Sequence, residues 1–467
     1  MDAFLRGIVA KLHRLRPESI GNGHAYSATG VIDASHDTTC SPVPPNQKTT
    51  MKNDNYAALV ALDWGDKNHA FAWQFADAQS IERGTIEATP EALHAWLDQL
   101  HATCKGRPVA LAVESGRNTL LHALLEHEGL RIYPVHSATS ARFRKTFTPS
   151  GAKDDGPDAL MLLTLLRTHR DQLKPLMVDT PVLRELAALV AIRRSAVDQR
   201  TRTLNQLTSL LKTYYPQALV LAGEDLATPL ARAFLRRFPE LLCVQKARAQ
   251  TMRVFYQAHN VRSLERIQER MTVIAQARAL IADRALIEPA ILEMTMLVDL
   301  LEVQTDHIAK LQTRIGEVFQ THPQASLFSA LPGAGATLAP RLLVAFGDNL
   351  ERYPSAASLQ KYSGIAPVRE KSGGRSWTHW RWAAPKFLRQ SFVEWAGQTV
   401  RYSAWAQAYY CLQKQRGKAH HAILRALAFK WIRILWRCSH DQIPYNENHY
   451  LAALQAKASP LHNALQK

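Results

Sequence analysis

Cysteine is scarce in this chain: five among 467 residues (Cys40, Cys104, Cys243, Cys411 and Cys438), scattered and with no Cys-x-x-Cys pair. That spacing excludes a disulfide framework and a cysteine-rich zinc site, and it suits a reducing, cytoplasmic setting. The 19 histidines include no metalloprotease-type pair, which argues against zinc on imidazole as well. No apolar run reaches the roughly 18 uncharged residues of a membrane-spanning helix. The most apolar stretch, Ala422 to Cys438, is interrupted by Arg425, Lys430, Arg433 and Arg437. Acid is lacking in one place. Between Lys361 and His440 two acids, Glu370 and Glu394, stand against fifteen Lys and Arg, so thirteen of the seventeen surplus positive charges fall there. The same stretch holds seven of the ten tryptophans. Some of them must be core, yet basic and aromatic residues interleaved in this way suit a polyanionic partner, nucleic acid above all.

What is present is ordinary globular material, with 46% hydrophobic and 21% charged residues, enough for about three domains. The first fifty residues differ. A short basic amphipathic stretch, Phe4 to Leu15, gives way to Gly, Ser, Thr and Pro, ending at Ser41-Pro-Val-Pro-Pro-Asn46. No signal-peptide core of about 7–15 apolar residues is found there. Residues 1–52 read as a disordered extension, with a mitochondrial-type transit peptide as the rival reading and Met51 as an alternative start. A chain beginning at Met51 is therefore expected to express, fold and keep full activity. Insolubility or inactivity of that truncation would make the extension part of a domain.

From Tyr56 the pattern turns to strands. Ala57 to Leu62 is a continuous apolar run ending at Asp63; His69 to Trp73 resumes as a second strand, and a third runs near Gly84 to Glu87. Thr89-Pro90 opens a helix, Val109 to Val113 is a buried strand ending at Glu114, and a further strand follows at Arg131 to Val135. Lys153-Asp-Asp-Gly-Pro-Asp-Ala159 then leads into a helix. Hairpin-rich strands followed by strand–helix alternation predict a mixed α/β sheet of ribonuclease H-like type. In that topology Asp63 and Glu114 sit on adjacent strand ends, while Asp155 and Asp158, three apart at a helix start, face one point. Four converging carboxylates repel one another unless cations neutralise them. Two Mg²⁺ ions about 4 Å apart would do so and would hold a scissile phosphate. Singly, each acid also has a structural reading, as a turn residue, a strand end or a helix cap.

Residues 179–322 read as a helical coiled-coil region, with apolar stripes from Leu183 to Leu211 and from Leu286 to Ile315; an ordinary bundle fits equally. An insertion at Pro216 to Asn260 carries Arg232, Arg236 and Arg237. Residues 323–440 form a basic, mostly helical domain, and 441–467 a tail. Leu331-Pro-Gly-Ala-Gly335 resembles a helix-hairpin-helix, whose glycines (Gly333, Gly335) let backbone approach a phosphate. Ser372 precedes Gly373-Gly374 in a loop with Arg369, Lys371 and Arg375, so its hydroxyl is a candidate nucleophile and Ser376 a local rival. Arg381, Lys386 and Arg389 extend the basic surface.

Taken together, Ala61-Leu-Asp63, Val113-Glu114-Ser-Gly116, Lys153 to Ala159, Leu331 to Gly335, Ser363-Gly-Ile-Ala-Pro367 and Ser372-Gly373 resemble, in order, the DEDD-type transposases of the insertion sequence 110 family and the related pilin-gene invertases. The resemblance runs from about Tyr56 to Cys438. It implies a RuvC-like domain over 53–178, a coiled coil, and a transposase domain with a catalytic serine. It implies Asp63, Glu114, Asp155 and Asp158 as a Mg²⁺-binding tetrad and Ser372 as the residue that bonds to a DNA end. It also implies a structured guide RNA and homodimers that assemble into tetramers, with one active site drawing on different chains. The expected function is site-specific recombination that moves the protein's own element. The rivals are a RuvC-like nuclease on branched DNA, using water as nucleophile, and a non-catalytic nucleic-acid binder.

Overall fold

The computed structural model describes residues 56–114, 118–147 and 155–461. The extension before Tyr56, Asp154 and the end of the tail lie outside them. The chain divides into two compact units, the first ending at Arg170, the second running on from Asp171 and taking in residues 132–134.

The first unit is built on β1 (Ala58–Asp63), β2 (Asn68–Phe75), β3 (Glu82–Glu87), α1 (Pro90–Cys104), β4 (Val109–Glu114), α2 (Asn118–Leu125), β5 (Leu130–Val135), α3 (Ser137–Phe147) and α4 (Asp155–His169). The sheet order is β3-β2-β1-β4-β5, with β1 antiparallel to β2 and parallel to β4. β1 and β4 are central and almost wholly buried, which is why their sequences are unbroken apolar runs. The turn from β1 to β2 is tight. A Cβ on Gly65 would lie 2.0 Å from the Asn68 carbonyl oxygen, so only glycine fits there. α4 packs across β1, β2 and β4.

The second unit is helical apart from one hairpin. Two long helices, α5 (Pro181–Tyr214) and α11 (Arg284–Thr321), run antiparallel along each other, as the Glu185–Arg314 ion pair (2.7 Å) and the Gln304–Thr203 hydrogen bond (3.2 Å) require. Between them lie α6 (Ala218–Leu221), α7 (Pro229–Arg237), α8 (Leu241–Lys246), α9 (Ala249–Ala258) and α10 (Leu264–Gln276). Pro289 lies inside α11 without breaking it. The interruption falls at residues 277–283, where Asp283 caps the new helix by accepting from the Ala285 N–H (2.9 Å).

The helix pair is neither a free stalk nor one bundle, because its two ends are buried in separate cores. Leu207, Leu211, Leu297 and Leu301 pack with the insertion around Phe234, Phe255 and Tyr256. Leu183, Leu186, Ile315 and Phe319 pack into the C-terminal core. The insertion's arginines serve this architecture. Arg236 pairs with Asp299 (2.7 Å) and Glu302, Arg232 with Glu302 (3.7 Å), and Arg237 lies over the rings of Phe238 and Phe255.

The C-terminal core gathers α12 (Ala325–Ser329), α13 (Gly335–Phe346), α14 (Ala356–Tyr362), α15 (Lys386–Tyr402), α16 (Ala404–Gln415) and α17 (His420–Asp441), with α18 (Glu447–Ala456) beside them. Trp395, Trp405 and Trp431 are fully buried at its centre, so they are not available to stack on bases. Their indole N–H groups donate to the Pro332 carbonyl, the Tyr445 hydroxyl and the Thr399 hydroxyl. Between α14 and α15 a two-stranded hairpin stands out from the helices, β6 (Val368–Ser372) and β7 (Arg375–His379). Among the described residues no helix is long and apolar enough to cross a membrane.

Candidate active site

In the first unit, Asp63 ends β1 and Glu114 ends the neighbouring parallel strand β4. Their register runs Ala58↔Val109 to Leu62↔Val113, and Asp63 and Glu114 are the next residues along. Asp63 is buried, Glu114 half-buried. Asp155 is the first residue of α4, and its side chain lies outside the described residues. Asp158, in the first turn of α4, is buried on a helix that rests on both strands.

Asp158 is held by a partner the sequence did not point to. Arg144, near the end of α3, donates from Nε to Oδ1 and from Nη2 to Oδ2, both at 2.7 Å. This bidentate pair is largely out of water, with side-chain exposures of 17% for Arg144 and 5% for Asp158. Among the described residues no group of three or more His, Cys, Asp or Glu side chains could hold a metal ion. The oxygen donors suit a hard divalent cation, and Arg144 already occupies one lone pair on each Asp158 oxygen. Arg144→Gln should lower the unfolding free energy by about 3–5 kcal/mol, because it leaves a buried carboxylate uncompensated. Urea denaturation measures this, and an unchanged midpoint would contradict it.

In the second unit, Ser372 lies not in a loop but at the end of β6. Gly373 (φ +54°) and Gly374 (φ +79°) form the two-residue turn, both in the left-handed region such turns demand. A Cβ on either glycine would meet nothing within 4 Å, so the tip is open. The pairing Ser372↔Arg375 and Glu370↔Trp377 fixes what faces what. Side chains of directly opposed residues share a face and alternate along the strands. Ser372 therefore shares its face with Arg375, Glu370, Trp377 and His379. Arg369 and Lys371 point to the other face with Ser376. Of the three cations expected close to Ser372, Arg375 is the one that shares its face. Ser376 is engaged, its hydroxyl accepting from Arg369 Nε at 3.0 Å. Ser372 is exposed, and its hydroxyl has no partner among the described residues. His379 faces Glu370 through Nε2 (2.8 Å) and the Trp380 carbonyl through Nδ1 (2.7 Å). Glu370 and then that carbonyl raise its pKa above 6.5.

The remaining basic residues divide. Lys371, Arg375 and Lys386 are exposed. Arg389 is half-buried, lies over Trp380 (5.0 Å) and donates to the Arg381 carbonyl (3.1 Å). Arg425, which stood out in the sequence only as a break in an apolar run, covers the same indole at 4.0 Å. Burial, and then Arg389, pushes the Arg425 guanidinium below its usual value. Of the two hairpin glycines, Gly333 (φ +70°) packs against α15, since a Cβ there would stand 3.1 Å from the Gln398 backbone. Gly335 faces open space.

Comparison with known proteins draws these features together. The family model of the IS110 DEDD transposases, described as transposase, matches residues 60–216 and spans all four acids. A second, described as transposase IS116/IS110/IS902 family, matches residues 325–411 and spans Gly333, Gly335 and Ser372. The chain is 26% identical over 418 residues to the "Mini-circle putative transposase for IS117" of Streptomyces coelicolor, covering 88% of this chain and all of the relative. It is 25% identical over 404 residues to the insertion element IS900 uncharacterized 42 kDa protein of Mycobacterium paratuberculosis, covering 83% and 96%. It is 26% identical over 162 residues to the pilin gene-inverting protein of Moraxella bovis, covering 31% and 46%. The chain belongs to the IS110 family of transposases.

Proposed function

We propose that this transposase moves its own insertion element as a Mg²⁺-assisted serine recombinase, guided by a structured RNA and working in the cytoplasm. The observation that carries the reading is Ser372: an exposed hydroxyl at an open hairpin tip, opposite Arg375, while its rival Ser376 is tied to Arg369. In the reaction, Ser372 Oγ gives up its proton and forms a bond to a DNA phosphorus, the bridging P–O bond to the neighbouring nucleotide breaks, and the departing oxygen takes up a proton in exchange for the one the serine lost. Arg375 balances charge on the phosphate oxygens. A DNA hydroxyl then attacks the phosphoserine and returns the serine, so rejoining needs no ATP.

Asp63, Glu114, Asp155 and Asp158, in a RuvC-like domain over 53–178, would hold Mg²⁺, which supplies charge stabilisation for the attacking and leaving oxygens. The turn at Leu331 to Gly335 would serve as the helix-hairpin-helix of the 323–440 domain, with Gly335 as its open glycine. Arg369, Lys371, Arg381, Lys386 and Arg389 extend a surface for DNA and for the RNA. The chain would act as a homodimer that pairs into a tetramer; self-association is supported by an apolar face on α11, where Leu292, Met296, Leu300 and Val303 recur at helical spacing and are all exposed among the described residues.

The test uses DNA carrying the element's ends, its flanking non-coding RNA and the full chain. Strand breakage with a protein–DNA adduct, lost on chelating Mg²⁺, is expected. Breakage to free ends with no adduct would favour the water-using nuclease.

A further inference from the structure

Beside the middle of α5 there is a cavity of about 180 Å³, walled by α5, α11, α13 and α15. That is far more than the roughly 10–15 Å³ one water needs. Three guanidiniums converge on it: Arg193 and Arg194 from α5, and Arg341 from α13. Phe387 forms an apolar wall, with Arg194 (5.6 Å) and Arg341 (5.7 Å) over its ring. Two of the three cations are accounted for within the fold. Arg341 pairs with Glu394 and donates to the Ser391 hydroxyl (2.9 Å), and Arg194 donates to the Gln390 side-chain carbonyl.

Arg193 is not accounted for. Among the described residues it makes no ion pair, and its Nε is buried with no acceptor. Two turns further along α5, Arg200 also buries an unpartnered Nε, and Arg341 buries an unpartnered Nη2. Burial, then Arg200 and Arg341, pushes the Arg193 guanidinium below its usual value. A fold gains nothing from gathering desolvated, like-charged donors unless an acceptor joins them. The acids lining the cavity are Glu394, already committed to Arg341 and to Gln390 Nε2 (2.6 Å), and the exposed Asp198. These donors would be satisfied by one compact anion with several acceptor oxygens, a shape that guanidinium forks from two helices match.

We propose that this cavity is a phosphate-binding site centred on Arg193, which takes one phosphoryl group. Its donors recognise either a phosphate of a nucleic-acid strand or free phosphate. The strand source rests on the nucleic-acid reading above; the free-ion source does not.

The experiment uses the full chain, with inorganic phosphate as one probe and an element-end DNA duplex as the other. Titration calorimetry should show saturable phosphate binding to the wild type. Phosphate should also raise its melting temperature, where chloride at equal ionic strength does not. Arg193→Gln should weaken phosphate binding at least tenfold, and Arg193→Lys should fall between, keeping the charge but not the fork. On DNA, a salt dependence of binding shallower by about one unit in Arg193→Gln assigns the site to a strand phosphate. Lost phosphate binding with an unchanged DNA slope assigns it to the free ion. If the wild type neither binds phosphate nor is stabilised by it, or Arg193→Gln binds it equally, the proposal is overturned. A wild type that binds phosphate but no DNA would sink the nucleic-acid reading and leave this one standing.

Discussion

Ser372→Ala is expected to abolish the covalent protein–DNA adduct while DNA binding stays at the wild-type level. The substitution removes one exposed hydroxyl and leaves the Gly373-Gly374 turn and the strand pairing as they are. The basic residues that set electrostatic affinity are untouched, so binding and its salt dependence should not move. Losing a covalent nucleophile is felt on the order of 10⁴-fold or more in rate. Ser376→Ala should keep at least partial activity, since that hydroxyl already accepts from Arg369. Labelled DNA on a denaturing gel, followed by mass spectrometry of the adducted peptide, separates the two serines. An adduct that persists in Ser372→Ala, or that maps to Ser376 or a tyrosine, would remove Ser372 from the mechanism.

Asp63→Asn should stop strand cleavage and spare the fold. Asn keeps the size and planarity of the buried side chain at the end of β1 but removes the charge a hard cation needs. Metal assistance is worth several kcal/mol in the transition state, so cleavage should fall about a hundredfold or more. A nicking assay across a Mg²⁺ titration, read beside a thermal melt, gives both halves of the result. Wild-type cleavage by the variant at low Mg²⁺ would refute the role.

The sheet was legible because a strand buried on both faces must be apolar throughout, as Ala57 to Leu62 and Val109 to Val113 are, and each run ends at the acid of interest. The two long helices were legible from their stripes. The Ser372 hairpin was not, since Val368 to Ser372 is charged and exposed and offers no alternating face. Its one signal was Gly-Gly between two short runs. Reading it as a loop hid the register, and with it the fact that Arg369 and Lys371 turn away from the serine. Arg144 was beyond reach for another reason. It precedes Asp158 by 14 residues on a separate helix, and only the packing of α3 on α4 brings the pair together. Arg193 and Arg341 are further apart still, and nothing local marks either one.

The division of α5 and α11 between two cores has a consequence for how the second unit comes apart. The hydrophobic cluster around Tyr215 and Phe255 and the one around Trp431 have no residue in common. Between them the helix pair is bridged by the Gln304–Thr203 hydrogen bond (3.2 Å) and by Ile308, which is buried but belongs to neither cluster. A unit wired in this way opens in stages rather than all at once. Amide hydrogen exchange should show two protection plateaus. The insertion and the facing ends of α5 and α11 should exchange together in one, and the C-terminal helices in the other.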